Sequence, residues 1–441
     1  MKGFLERTFR LAENDTTVRR ELLGGATTFM TMSYIIFVQP AVLGATGMDR
    51  GAVMVATCLA SALATLLTGL LANYPIAQAP AMGHNIFFAV VVCGTMGYTW
   101  QVALGANFIS GLVFVALALA GVWGKMVAAV PDALKYGIAV GIGLLIALIG
   151  LEYGGLVVAR PGVLVSLGDI TSPPVLLVLF GLALTAVLLV LRFPGAILVG
   201  ILATALAGLP FGIVKFHGLM APVPSLAPTF LKLDIAGALH TGLLAVVFVF
   251  LLLDVFDAIG TLIGVGGSGG FLKNGRLPRA DQAMLADAAG TVGGVLLGTS
   301  TVSSYIESVT GIAQGARTGL ANVATSALFL CALFFSPLAE MISGEVDYGG
   351  LVLRPVIAPA LIVVGSMMMK CVKFIDWDDI SEAVPAFLSV IIMPLTLSIT
   401  EGISFGFISY VILKLAAGKG RRVHWLIYLV AGLFVLRYVL K

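Results

Sequence analysis

Apolar runs long enough to cross a bilayer recur along this chain from residue 22 to residue 440. They leave the backbone few choices. About 20 apolar residues in helical form span a hydrocarbon core roughly 30 Å thick. Lipid offers no partner to a free N–H or C=O, so such runs must satisfy their own backbone as helices. Read in order, the windows give candidate spans near 22–44, 52–74, 79–96, 99–121, 133–151, 174–192 and 194–214. A second set follows near 240–264, 281–298, 300–314, 317–339, 353–372, 383–400 and 402–417. Composition agrees, since 59% of the 441 residues are hydrophobic and only 11% charged, too few to clothe a soluble fold of this size. The expectation is an all-α polytopic membrane protein with 14 transmembrane segments, followed by a C-terminal apolar segment over 423–441.

Charge placement gives the orientation, because cytoplasmic loops collect lysine and arginine. Residues 1–21 are polar, with Arg7, Arg10, Arg19 and Arg20 ahead of the first span, and no cleavable signal pattern is visible there. With the N-terminus cytoplasmic, Lys125, Lys135, Arg192, Lys273, Arg276, Arg279, Arg317, Lys370, Lys373, Lys414, Lys419, Arg421 and Arg422 fall inside. Arg50, Arg160, Lys215, Lys232 and Arg354 fall outside. That asymmetry predicts a multi-pass protein of the cell (inner) membrane. Cys58, Cys93, Cys331 and Cys371 are scattered through apolar stretches and read as small buried side chains, with neither a disulfide framework nor a metal site behind them.

The spans fall into two sets of seven. "FPGAILVGILATALAG" (193–208) closes the first and "ISFGFISYVILKLAAG" (403–418) the second, each with an early glycine, and a proline-containing connection over about 212–239 separates the sets. An odd number of spans forces the second copy to be inverted. The expected repeats are therefore 22–214 and 240–418, the inverted-repeat architecture of secondary transporters.

Such transporters bind solutes where helices are interrupted. In "PIAQAPAMGHNIFFAVVV" (75–92) the prolines predict an extended 75–82, with a short helix from His84 or Asn85. In "GTSTVSSYIESVTGIA" (298–313) hydroxyl and β-branched residues predict another extended stretch, capped into a short helix around Ser303–Ser304 with Glu307 four residues into it. If the extended arms pair, two helix N-termini meet near the bilayer centre and favour anionic or hydrogen-bond-accepting groups.

Acids in such segments are costly, and they face a wet cavity, find a partner or carry a proton. Asp254 and Asp257 lie three apart on one helix, with Gly260 and Gly264 leaving room on the same face. Glu307 sits just past the second break. His84 and Asn85, at the first, could read the polar edge of a ligand. Asp281 reads as a helix-start residue, Asp287 has no assigned role, and Glu401 is placed in a turn. A structural hydrogen bond is the competing reading for each. No GxxxxGK[ST], HExxH, GxSxG or CxxC pattern is present, so no catalytic constellation, cofactor or nucleic-acid partner is expected.

The stretches "ELLGGATTFMTMSYIIFVQPAVL" (21–43), "LDVFDAIGTLIG" (253–264), "GTSTVSSYIESVTGIAQGARTGL" (298–320), "LFFSPLA" (333–339) and "APALIVVGSMMM" (358–369) resemble the AzgA-like adenine/guanine/hypoxanthine (purine) permeases. These belong to the nucleobase–cation symporter group with the uracil-permease-type fold. The resemblance covers about residues 4–438. It implies a core domain from 22–121 and 240–339, a gate domain from 133–214 and 353–418, and substrate between them at crossed half-helices in the third and tenth spans. It carries roles to Asn85, Asp254, Asp257 and Glu307, with Glu307 and Asp254 bonding the N–H and amino groups of a purine and one of them exchanging the coupled proton. Two stretches depart from that family: "AMGHNIFF" carries His84 where a small or apolar residue is usual, and "FVQP" carries Gln39 in place of asparagine.

The reading is a secondary active transporter, with proton-coupled uptake of purine nucleobases across the inner membrane. Asn85, Asp254, Glu307, His84, Phe87 and Tyr305 are the substrate-binding candidates, with Phe88 as a further stacking ring, and Glu307, Asp254 and Asp257 are those for proton coupling. The expected partners are a purine, the proton and the lipid bilayer, with a homodimer left open. The alternatives are the same fold carrying xanthine, uracil or an organic anion, and, from another class, a channel.

Overall fold

The computed structural model describes residues 2–121, 130–160, 162–216, 218–240, 243–272 and 277–439. Lys125, Lys273 and Arg276, counted above as cytoplasmic charges, lie outside the described residues. Helix dominates, as apolar backbone in lipid requires. Among the described residues, eight helical stretches are long and apolar enough to cross a bilayer: Val18–Gly44, Arg50–Leu71, Trp100–Leu119, Asp132–Tyr153, Pro173–Val190, Val246–Gly267, Leu320–Ile342 and Ile399–Ala416. Shorter apolar helices cover Met82–Thr95, Ala196–Gly208, Ile380–Thr396 and Trp425–Leu436. Three two-stranded ladders interrupt the helices, and two of them are loop hairpins, Val157–Arg160 with Val163–Leu167 and Val346–Tyr348 with Leu351–Leu353.

Local chemistry sets the helix ends. Thr17, Asp49 and Ser398 each accept a hydrogen bond from a first-turn backbone N–H, of Arg20, Ala52 and Glu401 respectively. Gly298, at φ 96°, closes the Ala280–Leu297 helix in a left-handed conformation that a side chain would disfavour. Glu401 belongs to the first turn of the Ile399–Ala416 helix instead of the turn expected from sequence, because Ser398 caps that helix three residues earlier. Asp281 lies in the first turn of its helix, as expected of a helix-start residue.

Contacts divide the chain into two compact units, Met1–Gly121 with Glu152–Ala360 and Val122–Leu151 with Leu361–Lys441. In the first unit, helices from the two halves of the sequence interleave. Arg50–Leu71 packs on Ala280–Leu297 and Leu320–Ala332, Val18–Met32 on Leu320–Ala332 and Ser308–Ala313, and Trp100–Leu119 on Ala280–Leu297 and Leu244–Ser268. Small residues make this approach possible. A Cβ placed on Gly319 would lie 2.0 Å from the Gly69 carbonyl oxygen, and one on Gly311 would lie 2.4 Å from that of Gly24. Glu21, which the sequence places in the polar N-terminal stretch, is fully buried. Its carboxylate accepts from the backbone N–H groups of Arg317 (2.8 Å), Thr318 (3.2 Å) and Ala321 (3.2 Å), which satisfies the start of the Leu320–Ala332 helix.

In the second unit the Ile380–Thr396 and Ile399–Ala416 helices form a hairpin. Lys414, counted from sequence among the cytoplasmic-side charges near the end of the 402–417 span, lies inside the second of them, buried. The reason is pairing, because its ammonium meets Glu382 at 2.6 Å and donates to Ser381 Oγ at 2.7 Å. The run at 424–440 forms the Trp425–Val439 helix, 15 residues packed on Ile399–Ala416.

The close glycine contact gives a stability test. Gly319→Ala would force a methyl into the Gly69 backbone and should destabilise by about 1–3 kcal/mol or more. Gly432→Ala, where a Cβ meets no atom within 4 Å, should not destabilise. Melting of the detergent-purified protein followed by size-exclusion fluorescence checks both, and equal melting of the two variants would contradict the packing.

Candidate functional site

The two broken spans meet as a pair of strands. Gln78–Pro80 runs antiparallel to Val302–Ser304, with Gln78 opposite Ser304, Ala79 opposite Ser303 and Pro80 opposite Val302. Two further backbone bonds extend the ladder, Ala81 N–H to Thr301 O and Tyr305 N–H to Ala77 O, each 2.9 Å. The prolines of the first segment and the hydroxyl and β-branched residues of the second disfavour helix, and each arm then satisfies the other's backbone.

Neighbouring helices hold what remains. The Thr65 hydroxyl accepts from Gln78 N–H and donates to Gln78 O, both at 2.9 Å. Thr291 donates to Val302 O at 2.8 Å, and the Asn322 amide donates to Ile76 O at 2.9 Å. Asp287, left without a role by the sequence, accepts from both the backbone N–H (3.1 Å) and the hydroxyl (2.9 Å) of Ser304. Its carboxylate holds the second strand in place.

The helices that follow differ from expectation. The first starts at Met82, two residues early, and continues from Phe87 to Thr95 as a π-helix, whose wider turn re-aims side chains. The second begins only at Ser308, so Glu307 is the residue before the helix and does not lie four residues into it. The extra ladder bond at Tyr305 keeps the chain extended past Ser303–Ser304, where the cap was expected. At six residues this helix is too short to present the substantial end charge anticipated for it.

Three groups of side chains gather here. In the first, His84 Nε2 lies 2.8 Å from Asp254 Oδ1, an ion-pair distance at which the ring N–H is not in line for a regular hydrogen bond. Ser110 donates to the other Asp254 oxygen at 3.3 Å. His84 and Asp254 are 2% and 1% exposed, so the pair is shielded from bulk water. In the second, Asn85 Oδ1 accepts from Ser300 Oγ, which itself accepts from Gln39 Nε2 at 3.1 Å. Among the described residues, the amide nitrogen of Asn85 has the Met82 sulfur, at 3.9 Å, as its partner. In the third, Tyr34 donates to Glu307 Oε1 at 3.0 Å, and the Tyr305 ring lies 6.4 Å from that of Tyr34 while its hydroxyl donates to Pro80 O at 2.6 Å. Asp257 links the groups electrostatically, interacting with His84, Asp254, Tyr305 and Glu307 and lying beside Ser303. A Cβ at Gly260, one turn further along that helix, would meet no atom within 4 Å. Phe87 is buried edge-on against Phe250 at 4.9 Å, and Phe88 is fully buried.

Sequence reasoning missed Tyr34, Ser110 and Ser300, and it noted Gln39 without giving it a contact. Each is a short polar group in an apolar span, a signal too common to single out. Among the described residues, no group of three or more His, Cys, Asp or Glu is placed to hold a metal ion. Chemically, the ensemble offers carboxylate acceptors, an amide with both functions and an imidazole around a backbone crossing. That set suits hydrogen bonding to a polar solute.

Residues 19–405 match the Permease family (Xan_ur_permease). The chain belongs to that family. It is 50% identical over 438 residues to a putative permease of Methanocaldococcus jannaschii, covering 99% of this chain and 98% of that protein. It is 44% identical over 443 residues to the guanine/hypoxanthine permease PbuG of Bacillus subtilis, covering 98% of each chain. It is 43% identical over 439 residues to the adenine permease AdeP of Escherichia coli, covering 99% and 96%. The fold is similar to the transmembrane domain of the cyanobacterial bicarbonate transporter BicA, with a TM-score of 0.64 at 17% identity over 89% of this chain and 97% of that one. This permease is thus an integral, multi-pass, helical membrane protein and not an enzyme.

The Asp287 clamp is testable without transport. Asp287→Ala removes two hydrogen bonds, worth about 0.5–1.5 kcal/mol each. Amide exchange of the Ser300–Tyr305 segment should accelerate at least roughly tenfold while Leu320–Ala332 stays protected. Unchanged exchange in both would show that the strand does not depend on Asp287.

Proposed function

We propose that this permease takes up purine nucleobases (adenine, guanine or hypoxanthine) in symport with protons across the cell membrane, with its N-terminus cytoplasmic. The observation that carries the reading is the convergence of His84, Asp254, Asp257, Tyr305 and Glu307 on paired strands formed by two broken spans. The names of the permeases PbuG and AdeP supply the substrate class. A neutral purine presents ring N–H, amino and carbonyl groups on a planar, stackable frame. In this reading Glu307 and Asp254 accept from its N–H groups, Asn85 and His84 complete the polar edge, and Phe87 and Tyr305 supply aromatic surface. Carboxylates clustered in one place repel an organic anion, which favours a neutral base over that alternative. Xanthine and uracil remain the competing substrates to be tested.

The proposal takes the chain as fourteen spans in two inverted repeats, with a core from 22–121 and 240–339 and a gate from 133–214 and 353–418. A proton on a buried acid or on its partner lowers the cost of closing the site, and core movement against the gate then exposes it inward. Release of the proton weakens the hold on the base.

Uptake of labelled hypoxanthine by cells lacking their own purine permeases tests the reading. Unlabelled adenine, guanine or hypoxanthine should compete, uracil should not, and a protonophore should abolish accumulation. Glu307→Gln should reduce concentrative uptake by at least roughly tenfold, the loss expected when a transport-coupled carboxylate is neutralised. Competition by uracil alone, or full accumulation in that variant, would refute the substrate class or the role of Glu307 respectively.

A further inference from the structure

We propose that His84, paired with Asp254, is the proton-loading group of this permease. The pair cycles between imidazole–carboxylate, with net charge −1, and imidazolium–carboxylate, with net charge 0. The inference deepens the purine-symport reading and rests on it.

Charge counting leads to this assignment. Asp257 interacts with Asp254, Asp287 and Glu307, and those three are buried. Among the described residues, His84 is the cation-forming side chain in ion-pair contact with any of the four, and neither lysine nor arginine makes such a contact with them. A proton placed on a carboxyl oxygen of Asp254 would reduce its power to accept from a substrate N–H. A proton placed on the imidazole cancels the net charge and leaves that carboxylate an acceptor. Imidazole is also the side chain whose charge ordinarily changes within the cellular pH range.

The geometry leaves one atom open to the proton. With Nε2 against Asp254 Oδ1, the second ring nitrogen, Nδ1, is buried and has no hydrogen-bond partner among the described residues. With its hydrogen on Nε2, the neutral ring leaves a lone pair on Nδ1. Loading forms one N–H bond at Nδ1 with a proton from the outer solution, and unloading breaks that same bond towards the cytoplasm. No other bond changes.

The groups facing the ring are consistent with this. The Leu244–Ser268 helix presents Asp254 and Asp257. The Trp100–Leu119 helix contributes the Ser110 hydroxyl to Asp254. At the N-terminal end of the adjoining Ile35–Gly44 helix stands Tyr34, whose hydroxyl is committed to Glu307. Asp287 is committed to Ser304. The remaining titratable groups named around the pair are thus acids. A lone buried charge resists closure in a low-dielectric site, so a neutral, loaded pair with its base crosses more readily than the unloaded pair.

Proteoliposomes holding the full chain, with labelled hypoxanthine entry and internal pH followed together, give the number of protons moved per purine. The wild-type protein should couple the two fluxes. In His84→Gln and His84→Leu the ratio should fall at least roughly tenfold at whatever rate purine still moves, because neither side chain exchanges a proton in the cellular range. An unchanged ratio in either variant overturns the proposal. If neither variant moves purine, histidine-15N-labelled wild-type protein provides the second measurement. The His84 resonances, assigned by their loss in His84→Gln, should show imidazolium with hypoxanthine bound at pH 6 and neutral ring without it at pH 8. A neutral ring in both conditions overturns the proposal. Failure of the wild-type protein to bind hypoxanthine, adenine or guanine counts against the purine reading instead.

Discussion

Backbone hydrogen bonding in lipid is the constraint on which the rest of this structure depends. Two spans are broken, and each break frees N–H and C=O groups that a bilayer cannot satisfy. Gln78–Pro80 and Val302–Ser304 solve this by pairing with each other, and Thr65, Thr291, Asn322 and Asp287 take up what the pairing leaves. Once the arms are locked, the residues that follow them have little freedom. His84 and Asn85 are carried on the short helix after the first strand, and Tyr305 and Glu307 on the segment between the second strand and its helix. The side chains of the site are positioned by the repair of the backbone.

The same economy explains the polar residues elsewhere in the first unit. Glu21 satisfies a helix start, Asn73 accepts from Gly319 N–H at 2.8 Å, and Ser326 donates to Ala62 O at 2.9 Å. Each is buried, and each replaces a hydrogen bond that water would supply in a soluble protein. Glycine pairs such as Gly69 with Gly319 then let the helices approach until dispersion forces, which act without help from a hydrophobic effect in lipid, hold them together.

Much of this was legible in the sequence, for physical reasons. Apolar length announced the helices, and the prolines of 75–82 together with the hydroxyl run of 299–304 announced both breaks and the chance that they pair. Acids in apolar spans marked Asp254, Asp257 and Glu307. What stayed hidden was register and reach. The extra ladder bond at Tyr305 moves Glu307 to the position before its helix, and no propensity scale sees a bond to Ala77, more than two hundred residues away. Asp287 looked like any acid in a helix until Ser304 was placed beside it, and Lys414 like any basic residue at the end of a span until Glu382 was. Pairing between distant segments decides both cases.

The central claim is that the strand crossing forms the substrate site, and a density map of the purified permease with a bound purine tests it most directly. The account predicts the ring at the ends of the paired strands, its N–H groups within hydrogen-bond distance of Glu307 and Asp254 and its edge against Asn85. A purine bound away from residues 78–85 and 300–307, with those carboxylates making only protein contacts, would contradict it.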